Sequence, residues 1–167
     1  MELKIKRTMG NCKVTHGIFY APDYDFKCHV MELRELPDTA KAKINCAVPL
    51  GRYALTKSFG CGSLFWPVFQ RQLRGFVQKP MFDMENLTYN TLGCGNIAVG
   101  LPNDDVSLKA DEQLKADFTN LWRDIFQTED YVMIDIYKTN RFRFVDFEID
   151  DEVVGRTNWV EDDDDDE

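Results

Sequence analysis

No run of eighteen apolar residues occurs in this chain, which excludes a bilayer-spanning helix. No apolar h-region follows the first residues either. Met1-Glu2-Leu3-Lys4-Ile5-Lys6 alternates like a strand, so no signal peptide is expected. The five cysteines (Cys12, Cys28, Cys46, Cys61, Cys94) are odd in number, irregularly spaced and free of any CxxC pair. That argues against a disulfide framework and for folding in a reducing cytoplasm. Histidine is scarcer still, with only His16 and His29. Cys12-x-x-x-His16 followed by Cys28-His29 raises the question of zinc. Adjacent strand residues point to opposite faces, however, and Cys28 and His29 could hardly share one ion. Buried thiols and incidental histidines are the plainer reading, and neither a metal nor a cofactor is expected.

At 167 residues, 44% of them hydrophobic and 13% aromatic, the chain is long and apolar enough to bury the core of one domain. Its net charge of −9 is unevenly spread: seven of those charges belong to the run 161–167, leaving −2 on the rest. A near-neutral body does not suggest nucleic-acid binding through the fold, and nothing points to a membrane. The acidic run itself reads as a solvated end. Its functional alternatives are docking in a basic groove of a partner, or mimicry of nucleic-acid charge.

Short strands separated by turn signals fill the first half. Leu3, Ile5 and Arg7 alternate with Lys4 and Lys6 before a turn at Met9-Gly10-Asn11. Residues 13–20 and 25–33 read as a hairpin around Ala21-Pro22-Asp23, and residues 45–57 as a further strand entered through Val48-Pro49-Leu50-Gly51. Phe65, Trp66 and Phe69 read as core packing, with an exposed aromatic patch flanked by Arg52, Arg71 and Arg74 as the alternative. One helix stands out near 108–127, where Leu114, Phe118, Leu121, Ile125 and Phe126 recur at helical spacing. Ser107 or Asp105 is its expected N-cap. A strand at 131–137 follows, with Val132, Ile134 and Ile136 on one face. The expected fold is therefore mainly β, barrel-like or sandwich-like, with one principal helix; α+β is the alternative.

The stretch richest in chemical meaning is Phe82-Asp83-Met84-Glu85-Asn86-Leu87-Thr88-Tyr89-Asn90-Thr91-Leu92-Gly93-Cys94. Thr91-Leu92-Gly93-Cys94 places a thiol at the mouth of a turn, with a glycine that lets the backbone bend. Thiol catalysis needs a partner that holds a proton near neutrality, usually histidine. Eleven residues upstream stands Asp83 instead, and a carboxylate ionises too early and opposes thiolate formation nearby. This loop resembles that of an uncharacterised phage and prophage domain family, itself similar to the His…Ser/Thr-x-Gly-Cys loop of L,D-transpeptidases. Asn86, Thr91, Gly93, Cys94, Ile97, Val99 and Gly100 match the family pattern. Its histidine is replaced by Asp83, its first glycine by Glu85, and Gly95-Asn96 is inserted. Met1 to Arg7, Met31-Glu32-Leu33-Arg34-Glu35 and Ala47-Val48-Pro49-Leu50-Gly51-Arg52-Tyr53 resemble further family segments in the same order.

The resemblance covers residues 1–138 and implies an inactive relic site of Cys94, Asp83, Thr91 and Gly93. Residues 139–160 read as a C-terminal strand or arm and 161–167 as an acidic tail, with Phe142, Phe144, Phe147, Asp162, Asp163 and Asp164 as partner-binding candidates. A bulge is expected at Phe144-Val145. The implied function is that of a phage-encoded structural or accessory protein. It would be made in the cytoplasm of a bacterial host, and incorporation into the virion and homo-oligomerisation stay open. Other phage proteins are the expected partners. The alternative is an active cysteine transpeptidase or peptidase on peptidoglycan, with Cys94 as nucleophile and His16 or His29 reaching it from elsewhere.

Overall fold

The structure, a computed structural model, describes residues 2–36, 46–59, 65–70, 73–76 and 79–145. Strands β1 (Glu2–Gly10), β2 (Val14–Ala21) and β3 (Phe26–Leu33) form an antiparallel meander. They are followed by β4 (Gly51–Phe59), β5 (Phe65–Phe69), β6 (Phe82–Asp83), β7 (Ile97–Val99), the hairpin β8 (Leu101–Asp104) and β9 (Ser107–Lys109), helix α1 (Glu112–Thr128) and β10 (Tyr131–Phe144). Eight strands make one sheet in the order β5-β4-β10-β1-β2-β3-β7-β6. Its edges nearly meet. Val68 bridges Met81, Phe69 N–H donates to the Pro80 carbonyl at 3.4 Å, and Trp66 Nε1 donates to the Phe82 carbonyl at 3.1 Å. The sheet is thus a nearly closed barrel, which hides most of the exposed hydrogen-bonding edge an open sheet would present.

The alternation read from the sequence decides which side chains face inward. Leu3 and Ile5 on β1, Phe19 and Ala21 on β2, and Val132, Ile134 and Ile136 on β10 all join the main core cluster. Helix α1 packs Phe118, Leu121, Trp122, Ile125 and Phe126 into the same cluster, where Phe19, Phe82, Phe118 and Trp122 meet largely edge to face or tilted. Burying each such side chain contributes about 1.5–3 kcal/mol of transfer free energy. The helix begins later than expected. Ser107 lies in β9, so neither it nor Asp105 caps; Asp111 does, its Oδ2 accepting from Leu114 N–H at 2.9 Å.

A second, smaller core covers the outer side of β2, β3 and β7. There Val14, Met31, Leu33 and Ala98 pack against Leu87, Leu92 and Leu108 from the 84–92 loop and the β8–β9 hairpin. The meander is tightly joined at Gly17, where an added Cβ would lie 2.7 Å from the Lys6 carbonyl oxygen. Two strand limits differ from expectation. β4 starts at Gly51 rather than at residue 45, and β1 runs through Gly10, with its register shifting between Arg7 and Met9.

Strand β10 continues well past residue 137. Its pairing with β1 includes Met9↔Arg143 and Gly10↔Phe144, and Val145 N–H donates to the Gly10 carbonyl at 2.8 Å. The expected boundary between residues 138 and 139 therefore falls inside a strand of the barrel itself. After a register shift that follows the Arg7↔Lys138 pair, Arg143 and Phe144 pair with Met9 and Gly10 of the same chain, because β1 is long enough to offer them partners. Trp66 and Phe69 belong to the core side of β5, with Phe69 buried. Arg52 and Arg74 are exposed, Arg52 pairing with Glu2 at 2.6 Å; Arg71 lies outside the described residues.

Candidate functional site

Between β6 and β7 the chain forms a succession of turns held by its own side chains. The Asp83 carboxylate accepts from Glu85 N–H at 2.8 Å, from Asn86 N–H at 3.0 Å and from Asn86 Nδ2 at 3.0 Å. The side chain standing where the resemblance would have histidine is thus committed to a turn two to three residues ahead, an Asx-type arrangement. Thr88 Oγ1 donates to Asn90 Oδ1 at 2.6 Å and lies 2.9 Å from Thr91 Oγ1. Leu92 N–H closes the turn onto the Thr88 carbonyl at 3.0 Å, and the Leu92 side chain anchors it in the outer core. Thr91 is exposed, and its hydroxyl serves the turn.

Gly93 and Asn96 close the next turn, with Asn96 N–H 3.0 Å from the Gly93 carbonyl. Gly95 has φ of +79°, and a Cβ there would lie 2.9 Å from the Phe76 ring. Only glycine suits both conditions. Cys94 is half-buried between these glycines, its Sγ 4.0 Å from Cys46 Sγ and 3.7 Å from the Cys46 carbonyl oxygen. A surface cavity of about 430 Å³ opens beside the loop, lined by Cys12, Lys13, Leu33, Arg34, Tyr89, Asn90 and Leu92. Cys94 is not among its lining residues.

The two histidines lie in the meander. His16 is fully buried on β2, and its Nε2 lies 2.8 Å from the Asp105 carbonyl oxygen. A carbonyl only accepts, so Nε2 carries the proton. Burial is the main reason its pKa falls from the ordinary 6.5 to about 4; the Asp105 bond works the other way. An imidazole in that state is a poor proton acceptor at neutral pH. His29 is on β3, opposite Ile18. Its neighbour Cys28 points into the main core, where burial drives the thiol pKa strongly upward and removes it from thiol chemistry. Strand alternation thus separates Cys28 and His29 as the sequence implied. Among the described residues no group of three His, Cys, Asp or Glu side chains is placed to hold a metal.

The most highly organised polar cluster was not singled out from the sequence. Arg7 follows Leu3 and Ile5 in the inward register of β1 and is 1% exposed. Its Nε and Nη2 grip the two Glu32 carboxylate oxygens at 3.0 and 2.8 Å, Nη1 reaches Glu35 at 2.9 Å, and Nη2 also donates to the Val48 carbonyl at 2.5 Å. Glu35 is held from its other side by Lys138 at 3.1 Å. Burial opposes the guanidinium charge, but Glu32 and then Glu35 outweigh it and hold the Arg7 pKa above its ordinary value. The signal was available in the parity of Leu3, Ile5 and Arg7, which places the arginine on the apolar face. The Val48 carbonyl and the Arg34 carbonyl, which accepts from Ala47 N–H at 2.8 Å, tie the segment carrying Cys46 to this cluster.

Of the C-terminal candidates, Phe142 is half-buried, with Lys138 Nζ 4.7 Å from its ring centroid, while Phe144 is 59% exposed. Phe147, Asp162, Asp163 and Asp164 lie outside the described residues; the bulge expected at Phe144-Val145 is instead a register shift between Lys138 and Arg143, and β10 ends at Phe144. No helix among the described residues is long and apolar enough to cross a membrane. Comparison of the chain with protein-family models, with curated proteins and with solved structures gives no match.

Proposed function

We propose that this chain is a phage-encoded structural or accessory protein whose L,D-transpeptidase-like domain has no catalytic role and acts through contacts with other proteins of the phage. The observation that carries this reading is the position of Asp83, whose carboxylate holds the Glu85–Asn86 turn. His16 adds support, being buried, bonded to Asp105 and depressed to a pKa of about 4. The exposed Phe144 closes β10 and leads into the acidic C-terminal residues, which supply the contact surface and, in this reading, the route into a virion.

Two measurements test the proposal. Incubated with a peptidoglycan stem peptide, the protein is expected to give no cleavage or cross-linking above a Cys94→Ala control. Turnover abolished by Cys94→Ala would establish the cysteine-enzyme alternative instead. A deletion of residues 146–167 keeps all of β10. It is expected to melt like the full chain while losing incorporation into the phage particle. Unchanged incorporation would remove the C-terminal residues from the interaction.

A further inference from the structure

Cys46 and Cys94 are brought together from 48 residues apart, with their sulfur atoms at 4.0 Å. A disulfide bond is about 2.05 Å long, so the pair needs to close by roughly 2 Å, within reach of side-chain rotation and small turn adjustments. One backbone contact already holds the two segments side by side, and a second anchors the Cys46 segment to the residues after β3. Gly95 N–H donates to the Cys46 carbonyl at 2.9 Å, and Ala47 N–H donates to the Arg34 carbonyl at 2.8 Å. The two thiols also differ in access: Cys46 is 0% exposed, whereas Cys94 is half-buried at the turn. Cys28 makes a useful contrast, sealed in the main core with its thiol pKa driven up by burial.

We propose that Cys46 and Cys94 form a reversible two-electron redox site that exchanges with a small-molecule disulfide, Cys94 attacking and Cys46 resolving. Cys94 loses its proton and its sulfur attacks one sulfur of the external disulfide. The external S–S bond breaks, a mixed disulfide forms at Cys94, and the departing half leaves as a thiol with that proton. Cys46 then loses its proton and attacks Cys94 Sγ. The mixed disulfide breaks, the Cys46–Cys94 bond forms, and the second half leaves as a thiol. The protein gives up two electrons and two protons, and one external disulfide becomes two thiols. The order follows from access, since a buried sulfur cannot receive a bulky reagent but can reach a neighbour 4.0 Å away. The site needs no histidine and is independent of the transpeptidase resemblance.

The test uses the full-length protein incubated with oxidised glutathione, then blocked with N-ethylmaleimide, denatured and mapped by peptide mass. The expected result is that two of the five cysteines are lost to alkylation as one Cys46–Cys94 cross-linked peptide, reversed by dithiothreitol. Cys46→Ser should stall as a glutathione adduct at Cys94, and Cys94→Ser should leave Cys46 unmodified in the folded protein. If Cys46→Ser does not fold, the wild-type peptide map still decides. A stable glutathione adduct at Cys94 in the wild type, a cross-link involving Cys12 or Cys61 in place of this pair, or no reaction at all would overturn the proposal.

Discussion

The turns of residues 82–96 and the buried polar contacts of the meander hold their side chains in opposite ways. In the turns, Asp83, Thr88 and Thr91 bond groups two or three positions away, mostly at the surface. In the meander, Arg7 reaches Glu32, Glu35 and Val48 across 25 to 41 positions, and His16 and Asn11 both bond the Asp105 carbonyl across 89 and 94. The first region is the more conspicuous in the sequence because it looks like a catalytic loop. The second has the stronger hold on the fold. A motif states which residue types are near one another along the chain, whereas burial decides how much each contact matters.

The largest effect that separates the two regions is expected at Arg7. Arg7→Ala leaves the buried Glu32 side chain without its ion-pair partner, a loss that costs about 3–5 kcal/mol. Urea unfolding should show that loss, and Arg7→Met combined with Glu32→Met should recover most of it. If the single variant unfolds at nearly the same urea concentration as the wild type, the barrel end is wetter than its burial implies.

Next in size is the pH dependence caused by His16. Its folded-state pKa of about 4 lies below the unfolded value near 6.5. As pH falls through that window the unfolded chain takes up the proton first, so stability declines between about pH 6.5 and pH 4 and is unaffected above. A shift of this size corresponds to roughly 3 kcal/mol at most. His16→Gln should flatten the stability–pH curve in that window, provided unfolding is followed at several pH values. An unchanged slope would assign the acid sensitivity to other groups.

The turn region should respond less. Asp83→Ala removes the acceptor of three hydrogen bonds at a half-buried position and is expected to cost about 1–2 kcal/mol. A loss as large as that of Arg7→Ala would erase the distinction between the regions. Asp83→His should lose the same turn bonds and gain no stem-peptide turnover, since position 83 faces the backbone of Glu85 and Asn86. Smallest is Asp111→Ala, a helix N-cap loss of about 1 kcal/mol, visible as a modest fall in melting temperature.

Alternation and helical spacing were enough to read the β-rich class, the 14–33 hairpin, the single helix and the inward face of β10, because burial imposes period 2 on strands and period 3.6 on helices. Turn residues with local partners were also legible as turns, since their bonds lie within a few positions. The sequence did not carry the closure of the barrel, the parallel pairing of β1 with β10, or the extension of β10 past residue 138. Each depends on which strand ends up beside which. The same holds for the candidate site: Cys94 was legible as a thiol in a glycine-flanked turn, but its neighbour was not. Chain proximity offered Asp83 as the partner, whereas the fold brought Cys46 to 4.0 Å and placed Arg7 against Glu32. The physical reason is that local patterns record the preferences of a residue for solvent, core or turn, while contacts distant in sequence are set by the packing of whole strands around one shared core.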